Sequence, residues 1–261
     1  MRAVCDTSHM TLKMIGFDGD DTLWRSEDYF AQAQTTFESI VAPYVDLRGD
    51  ALHQRLYAVE KRNIAVFGYG VKGMALSMIE TAIEITDARI AATDIHRIVQ
   101  LAQSMLQHPV ELLPGIREAV ERVASRWPVV LITKGDLFHQ EAKVRDSGLA
   151  DLFHRIEIVS EKDVGTYSRL LEEFGIDASQ FAMVGNALRS DIAPVVRLGG
   201  YGVHIPYHLT WVHEREADVA EPSRMRTLAH ANGLYDVLDE IERGMTGTGT
   251  RPEPDPAHRG N

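Results

Sequence analysis

Residues 14–24, MIGFDGDDTLW, place three carboxylates, Asp18, Asp20 and Asp21, at the end of an apolar run. Acidic side chains this close repel one another, so a cation or a chemical task has to offset the charge. Polar clusters also follow three further apolar runs. PVVLIT (128–133) ends on Thr133 and leads into Lys134, Gly135 and Asp136; RIEIV (155–159) leads into Ser160, Glu161 and Lys162. FAMVG (181–185) leads into Asn186 and then Asp191. Two carboxylates, a hydroxyl, a lysine and an amide–acid pair are what phosphoryl transfer through an acyl-phosphate requires. One carboxylate attacks phosphorus and splits the displacement into two easier steps. A second acid protonates the leaving oxygen and later deprotonates water. A hard divalent cation neutralises clustered carboxylates and phosphate oxygens, and Mg²⁺ prefers a few carboxylates with water and phosphate. A lysine and a hydroxyl stabilise the transferring group.

These residues can cooperate only if the strands carrying them end at one edge. Short apolar runs at 13–17, 128–133, 155–159, 181–185 and 201–205 lack alternation, as strands buried on both faces do. Between them lie segments of helical spacing, GIREAVERVASRW, LFHQEAKVRDSGL and YSRLLEEFGI, with Gly148 and Gly175 at expected helix ends. Alternating β and α units predict an α/β fold, a doubly wound, Rossmann-like parallel sheet. In such sheets ligands bind outside the carboxyl ends of the strands, where the polar clusters stand.

One region departs from the alternation. From residue 26 to 108 the pattern is helical, punctuated by Pro43, Gly68–Gly73 and Pro109. It is expected to be an inserted helical domain, with residues 1–25 and 109–245 forming the core and 246–261 a disordered tail rich in Gly, Pro and Thr.

Composition narrows the function. The formal net charge of −11 argues against nucleic acid or an anionic membrane as partner. Cys5 is the single cysteine, so no intrachain disulfide is expected and a cytoplasmic location is the default. No apolar run has the length of a membrane helix, and the N-terminal residues lack a signal core.

FDGDDTL resembles the first motif of the haloacid dehalogenase (HAD) superfamily, Asp-x-Asp-x-Thr-Leu after an apolar strand. LITKG resembles its second motif, Lys162 the third, and MVGNALRSD the fourth, in the family's order and over residues 12 to 206. The resemblance implies a Mg²⁺-dependent phosphatase acting on a small phosphorylated metabolite, with a helical cap of the C1 type in the insert. It assigns Asp18 as nucleophile and Asp20 as general acid/base that also offers its backbone carbonyl to Mg²⁺. Thr133 and the Lys134 backbone N–H would bind phosphate, beside Gly135 and Thr22. Lys162 would pair with Asp18 and the phosphate, and Asp191 would hold the metal. Asn186 stands where the family usually has Asp, which removes one negative charge from the metal set and leaves a neutral oxygen. Asp21 stands where Gly is frequent and is given no catalytic role. Asp20 favours phosphate esters over halides, because a halide leaving group needs no proton. Thr22 leans towards phosphatases over phosphoglucomutase-like relatives. A phosphomutase and a catalytically weak phosphate- or partner-binding module are the alternatives, and a homodimer is the assembly allowed for.

Other patterns carry less. Gly68, Gly70 and Gly73 fit G-x-G-x-x-G after NIAVF, the dinucleotide fingerprint, but no strand-like run precedes Asp87 or Asp94 as the ribose-binding acid requires. The segment is expected to be a loop of the insert, with Lys72 as a phosphate or substrate contact. His204, His208 and His213 lack an acid at fixed helical spacing and are read as a loop at the site rim rather than a zinc set. Trp24 and Trp211 are expected at the border of core and insert.

Overall fold

The computed structural model describes residues 11–209, 211, 214 and 218–247. Cys5, His213 and residues 248–261 lie outside the described residues. All five apolar runs form strands: β1 (Met14–Phe17), β2 (Val129–Lys134), β3 (Arg155–Val159), β4 (Phe181–Gly185) and β5 (Tyr201–His204). A sixth, β6 (Met225–Thr227), has three residues and gave no sequence signal, being short and carrying Arg226. The strands form one parallel sheet in the order β3-β2-β1-β4-β5-β6.

Side chains along a strand point alternately to opposite faces, and here each face has its own core. Ile15, Phe17, Val129, Leu131 and Val184 pack with helices α5 (Ile116–Ala124) and α9 (Leu234–Gly247). Met14, Val130, Ile132, Phe181 and Met183 pack with Tyr167, Leu170 and Leu171 of α7 (Val164–Phe174) on the other face. Burial on both faces explains the unbroken apolar runs of β1, β2 and β4. Edge strand β3 is the exception, with Ile156 exposed. Helix α6 (Leu137–Ser147) follows β2, and the short α8 (Ala193–Arg197) follows a π-helical turn at Leu188–Ile192. Helices α6 and α7 end on left-handed Gly148 and Gly175.

Between β1 and β2 run four helices, α1 (Glu27–Val41), α2 (Gly49–Phe67), α3 (Val71–Ile85) and α4 (Ala92–Leu106). They bury a cluster of their own around Phe37, Ile40, Leu52, Leu56, Met78 and Ile98. The chain leaves and re-enters the sheet region along neighbouring segments: Arg25 N–H donates to Glu111 O, and Leu113 N–H to Leu23 O. Helix α2 extends through NIAVF to Phe67, so no strand precedes the Gly68–Gly73 turn and the dinucleotide pattern has no structural support. Gly70 has φ +108°, a conformation that favours glycine, and a Cβ there would come within 3.3 Å of the Asp136 backbone N. No helix among the described residues is long and apolar enough to cross a membrane.

Candidate active site

Strand order reverses beside β1: the chain proceeds from β1 to β2 and β3 on one side and returns to β4 on the other. Such a switch point opens a crevice at the carboxyl ends. Asp18 follows β1 there, Thr133 lies at the end of β2, Asn186 follows β4, and Lys162 follows β3. One cavity is lined by Asp18, Asp20, Thr133, Lys134, Gly135, Lys162, Asn186 and Asp191 from the core.

Lys162 is 4% exposed. Its ammonium pairs with Asp18 and lies 2.8 Å from Asp191 Oδ1. Burial disfavours the ammonium, but the two carboxylates outweigh it and hold Lys162 protonated well above the usual range. The cap of the following helix α7 is Asp163, which accepts from Thr166 N–H. Burial and the charge of Asp191 push the Asp18 carboxyl up to about 7, against the pull of Lys162. One ammonium therefore does not balance two buried carboxylates.

Asp191 Oδ2 also accepts from Ala187 N–H at 2.9 Å. A Cβ on Gly185 would fall inside the Asp191 carboxyl group, so glycine at the end of β4 is what lets that carboxylate fold back into the site. The excess negative charge and the oxygen-only donors of Asp18, Asp191, the Asn186 amide and the Asp20 backbone carbonyl suit a hard cation of the Mg²⁺ type. Among the described residues no three His, Cys, Asp or Glu side chains group around one cation position, so such an ion would rest on two carboxylates and neutral oxygens.

Asp20 is anchored differently. It accepts from Trp24 Nε1 at 2.6 Å, Gln140 Nε2 at 2.9 Å and Lys143 Nζ at 2.7 Å. Burial raises its pKa, but Lys143 and the other donors prevail and hold the carboxyl below its usual value. Two carboxylates two residues apart thus differ sharply in proton affinity. Gln140 and Lys143 were not singled out in the sequence; their i, i+3 spacing on α6 puts them on one helix face, which was the available signal.

The structure revises several assignments. Thr22 is buried and absent from the cavity wall; its hydroxyl lies 2.9 Å from Asp18 Oδ2 and 3.2 Å from Asn186 Oδ1 and accepts from Asn186 N–H. It ties the β1 and β4 loops together instead of facing a ligand. Lys134 lines the cavity, and its ammonium pairs with Glu214 and Glu161 beneath the Tyr69 ring, which leaves the expectation for its backbone N–H as it stood. Lys72 bonds Asp136 at 2.9 Å and lies outside the set that lines the cavity. Asp21, given no catalytic role, has a structural one. At φ +61° it accepts from the N–H groups of Ser26 and Glu27, satisfying the start of α1. His204 Nε2 lies 3.0 Å from Asn186 O and His208 Nε2 3.0 Å from Asp28 Oδ1, which separates them into two different contacts. Trp24 is buried in the core with its ring N–H on Asp20, while Trp211 meets Tyr69 edge-on at the cavity.

The insert supplies the remaining wall. Phe30 and Gln34 of α1, Glu60 and Ile64 of α2, and Met74 and Ser77 of α3 recur at three- and four-residue spacing, so one face of each helix lines the cavity. Two polar contacts join insert and core nearby, Tyr69 OH to Glu161 at 2.6 Å and Lys72 to Asp136.

Parallel sheet, helical insert and strand-end carboxylates define an α/β hydrolase of the haloacid dehalogenase type. The family model for haloacid dehalogenase-like hydrolases matches residues 12–199, and the chain belongs to that family. A crystal structure of a haloacid dehalogenase-like family hydrolase from Xanthomonas campestris is 51% identical, with 90% of this chain and 94% of that chain covered and a TM-score of 0.81. A 2-haloacid dehalogenase from Pseudomonas syringae pv. tomato is 20% identical, covering 88% and 99%, with a TM-score of 0.58. A putative β-phosphoglucomutase from Thermotoga maritima is 17% identical, covering 88% and 100%, with a TM-score of 0.61. The last two share the fold. None of the curated proteins matches this chain.

Proposed function

We propose that this hydrolase is a Mg²⁺-dependent phosphatase that cleaves a small phosphomonoester through an aspartyl-phosphate on Asp18. The observation that carries the reading is the second carboxylate, Asp20. It is set two residues after the nucleophile, lines the same cavity and is held by three donors. Displacement of a halide would leave such an acid without a task; an alkoxide leaving group requires it.

An Asp18 oxygen attacks phosphorus, and the bond from phosphorus to the leaving oxygen breaks. Asp20 gives its proton to that oxygen, having taken it up as the phosphate dianion approaches and raises its proton affinity. Asp20 then removes a proton from water, water oxygen bonds to phosphorus, and the Asp18–phosphorus bond breaks. Lys162 stays charged throughout and faces both Asp18 and the phosphoryl oxygens, joined by the Thr133 hydroxyl. Mg²⁺ bound by Asp18, Asp191, Asn186 and the Asp20 carbonyl would supply positive charge to the carboxylates and the phosphate. The insert wall keeps bulk water from the reacting atoms and receives the leaving group.

Asp18→Asn tests the reading. Phosphate release from a panel of sugar phosphates, nucleotides and small organic phosphates should fall to background while the circular dichroism spectrum is unchanged. Substantial residual turnover would refute Asp18 as nucleophile, and an isomerised sugar phosphate in place of free phosphate would mark a mutase.

A further inference from the structure

The cavity wall includes an ionisable side chain, Glu60, that the chemistry above does not use. Glu60 lies on α2 and, with Phe30, Gln34, Ile64, Met74 and Ser77, forms the wall opposite the strand ends. Among the described residues its carboxyl has no hydrogen-bond or ion-pair partner, and the residues of α1, α2 and α3 that line the cavity with it are apolar or neutral apart from Glu27. The cations of the cavity are committed elsewhere: Lys162 to Asp18 and Asp191, Lys143 to Asp20, Lys134 to Glu161 and Glu214. His139, which also lines the cavity, is held neutral by burial and by Lys143, with its pKa pushed down to about 4.

Glu60 is half-buried, and a carboxylate partly withdrawn from water without a partner carries a cost. Here desolvation alone raises the Glu60 carboxyl to about 7. Among the described residues no cation pairs with it, so a cationic ligand is what would complement it. Phe30 lines the same cavity, which therefore offers an aromatic ring and a carboxylate, the two features that suit an ammonium group.

We propose that the leaving group accepted by this enzyme carries a cationic nitrogen, and that Glu60 binds it, making the substrate a phosphate monoester of a small amino alcohol. The inference rests on the phosphatase reading. The phosphoryl end would sit at Asp18 and Lys162, the ammonium at Glu60, and the short carbon chain between Ile64 and Met74. Glu60 is a specificity-determining residue in this assignment, and it takes no part in bond making.

The test compares 2-aminoethyl phosphate with its neutral isostere propyl phosphate, with Mg²⁺ present and p-nitrophenyl phosphate as a general substrate. The wild type should prefer the ammonium ester in kcat/KM by about 10- to 100-fold, the range of one charge-assisted contact. Glu60→Gln should bring the ratio to about one, and Glu60→Lys should turn the preference towards 2-carboxyethyl phosphate. Ethanolamine should inhibit p-nitrophenyl phosphate turnover by the wild type while 1-propanol at equal concentration does not, a reading independent of how the variants fold. A wild-type ratio near one, or an undiminished ratio in folded Glu60→Gln, would overturn the ammonium assignment and leave the phosphatase reading standing. No phosphate from any ester, p-nitrophenyl phosphate included, would overturn both.

Discussion

Replacing Glu60 by Gln should stabilise the ligand-free protein, and by an amount that depends on pH. The carboxyl titrates near 4.5 when the chain is unfolded and at about 7 when folded, because burial disfavours the charge. Between those values the folded chain holds a proton that the unfolded chain has released. Stability from this group is therefore fully present below pH 4.5 and is lost as pH rises through 7. At about 1.36 kcal/mol per pH unit the difference amounts to about 3 kcal/mol, and the partial exposure of the side chain lowers it to about 1–3 kcal/mol. Gln has nearly the same shape and no charge to bury. Urea unfolding of both proteins should give equal midpoints near pH 4.5 and a higher midpoint for Glu60→Gln at pH 8, with similar m-values. Every other titrating group cancels in the comparison. A pH-independent difference, or a less stable variant at pH 8, would refute the claim that Glu60 is partly desolvated without a partner.

Removing Lys162 leaves two buried carboxylates facing each other. Lys162→Met should lower kcat by about 10²–10³-fold and destabilise the fold by about 3–5 kcal/mol, read by steady-state kinetics and thermal unfolding. Gly185→Ala should displace the Asp191 carboxylate and cost at least about 10²-fold in activity, with a raised Mg²⁺ requirement in a metal titration. Asp21→Ala removes the acceptor for two N–H groups at the start of α1 and should cost about 1 kcal/mol in thermal unfolding. Chelation with EDTA should abolish phosphate release, and added Mg²⁺ should restore it; full activity in excess EDTA would contradict the metal assignment.

The chemistry of the strand ends was legible because each element there is local. An unbroken apolar run marks a strand buried on both faces, and the residue that follows it stands at the carboxyl edge whatever the rest of the chain does. Asp18, Thr133, Lys162 and Asn186 could be read in that way, as could Gly148 and Gly175 at helix ends. Strand β6 could not, since three residues carry no periodicity.

What only the tertiary structure decided is which polar groups satisfy one another. Asp18, Asp20 and Asp21 are chemically identical in the sequence, yet one pairs with Lys162, one is held by Trp24, Gln140 and Lys143, and one caps α1. Their partners lie from four to 144 residues away along the chain, and proton affinity follows partners and burial rather than residue type. The same holds for Thr22, which a sequence motif offered to a ligand and packing gave to Asp18 and Asn186. Glu60 is the converse: one of many acids on a helix by sequence, set apart only once folding places it in a cavity wall with no partner among the described residues.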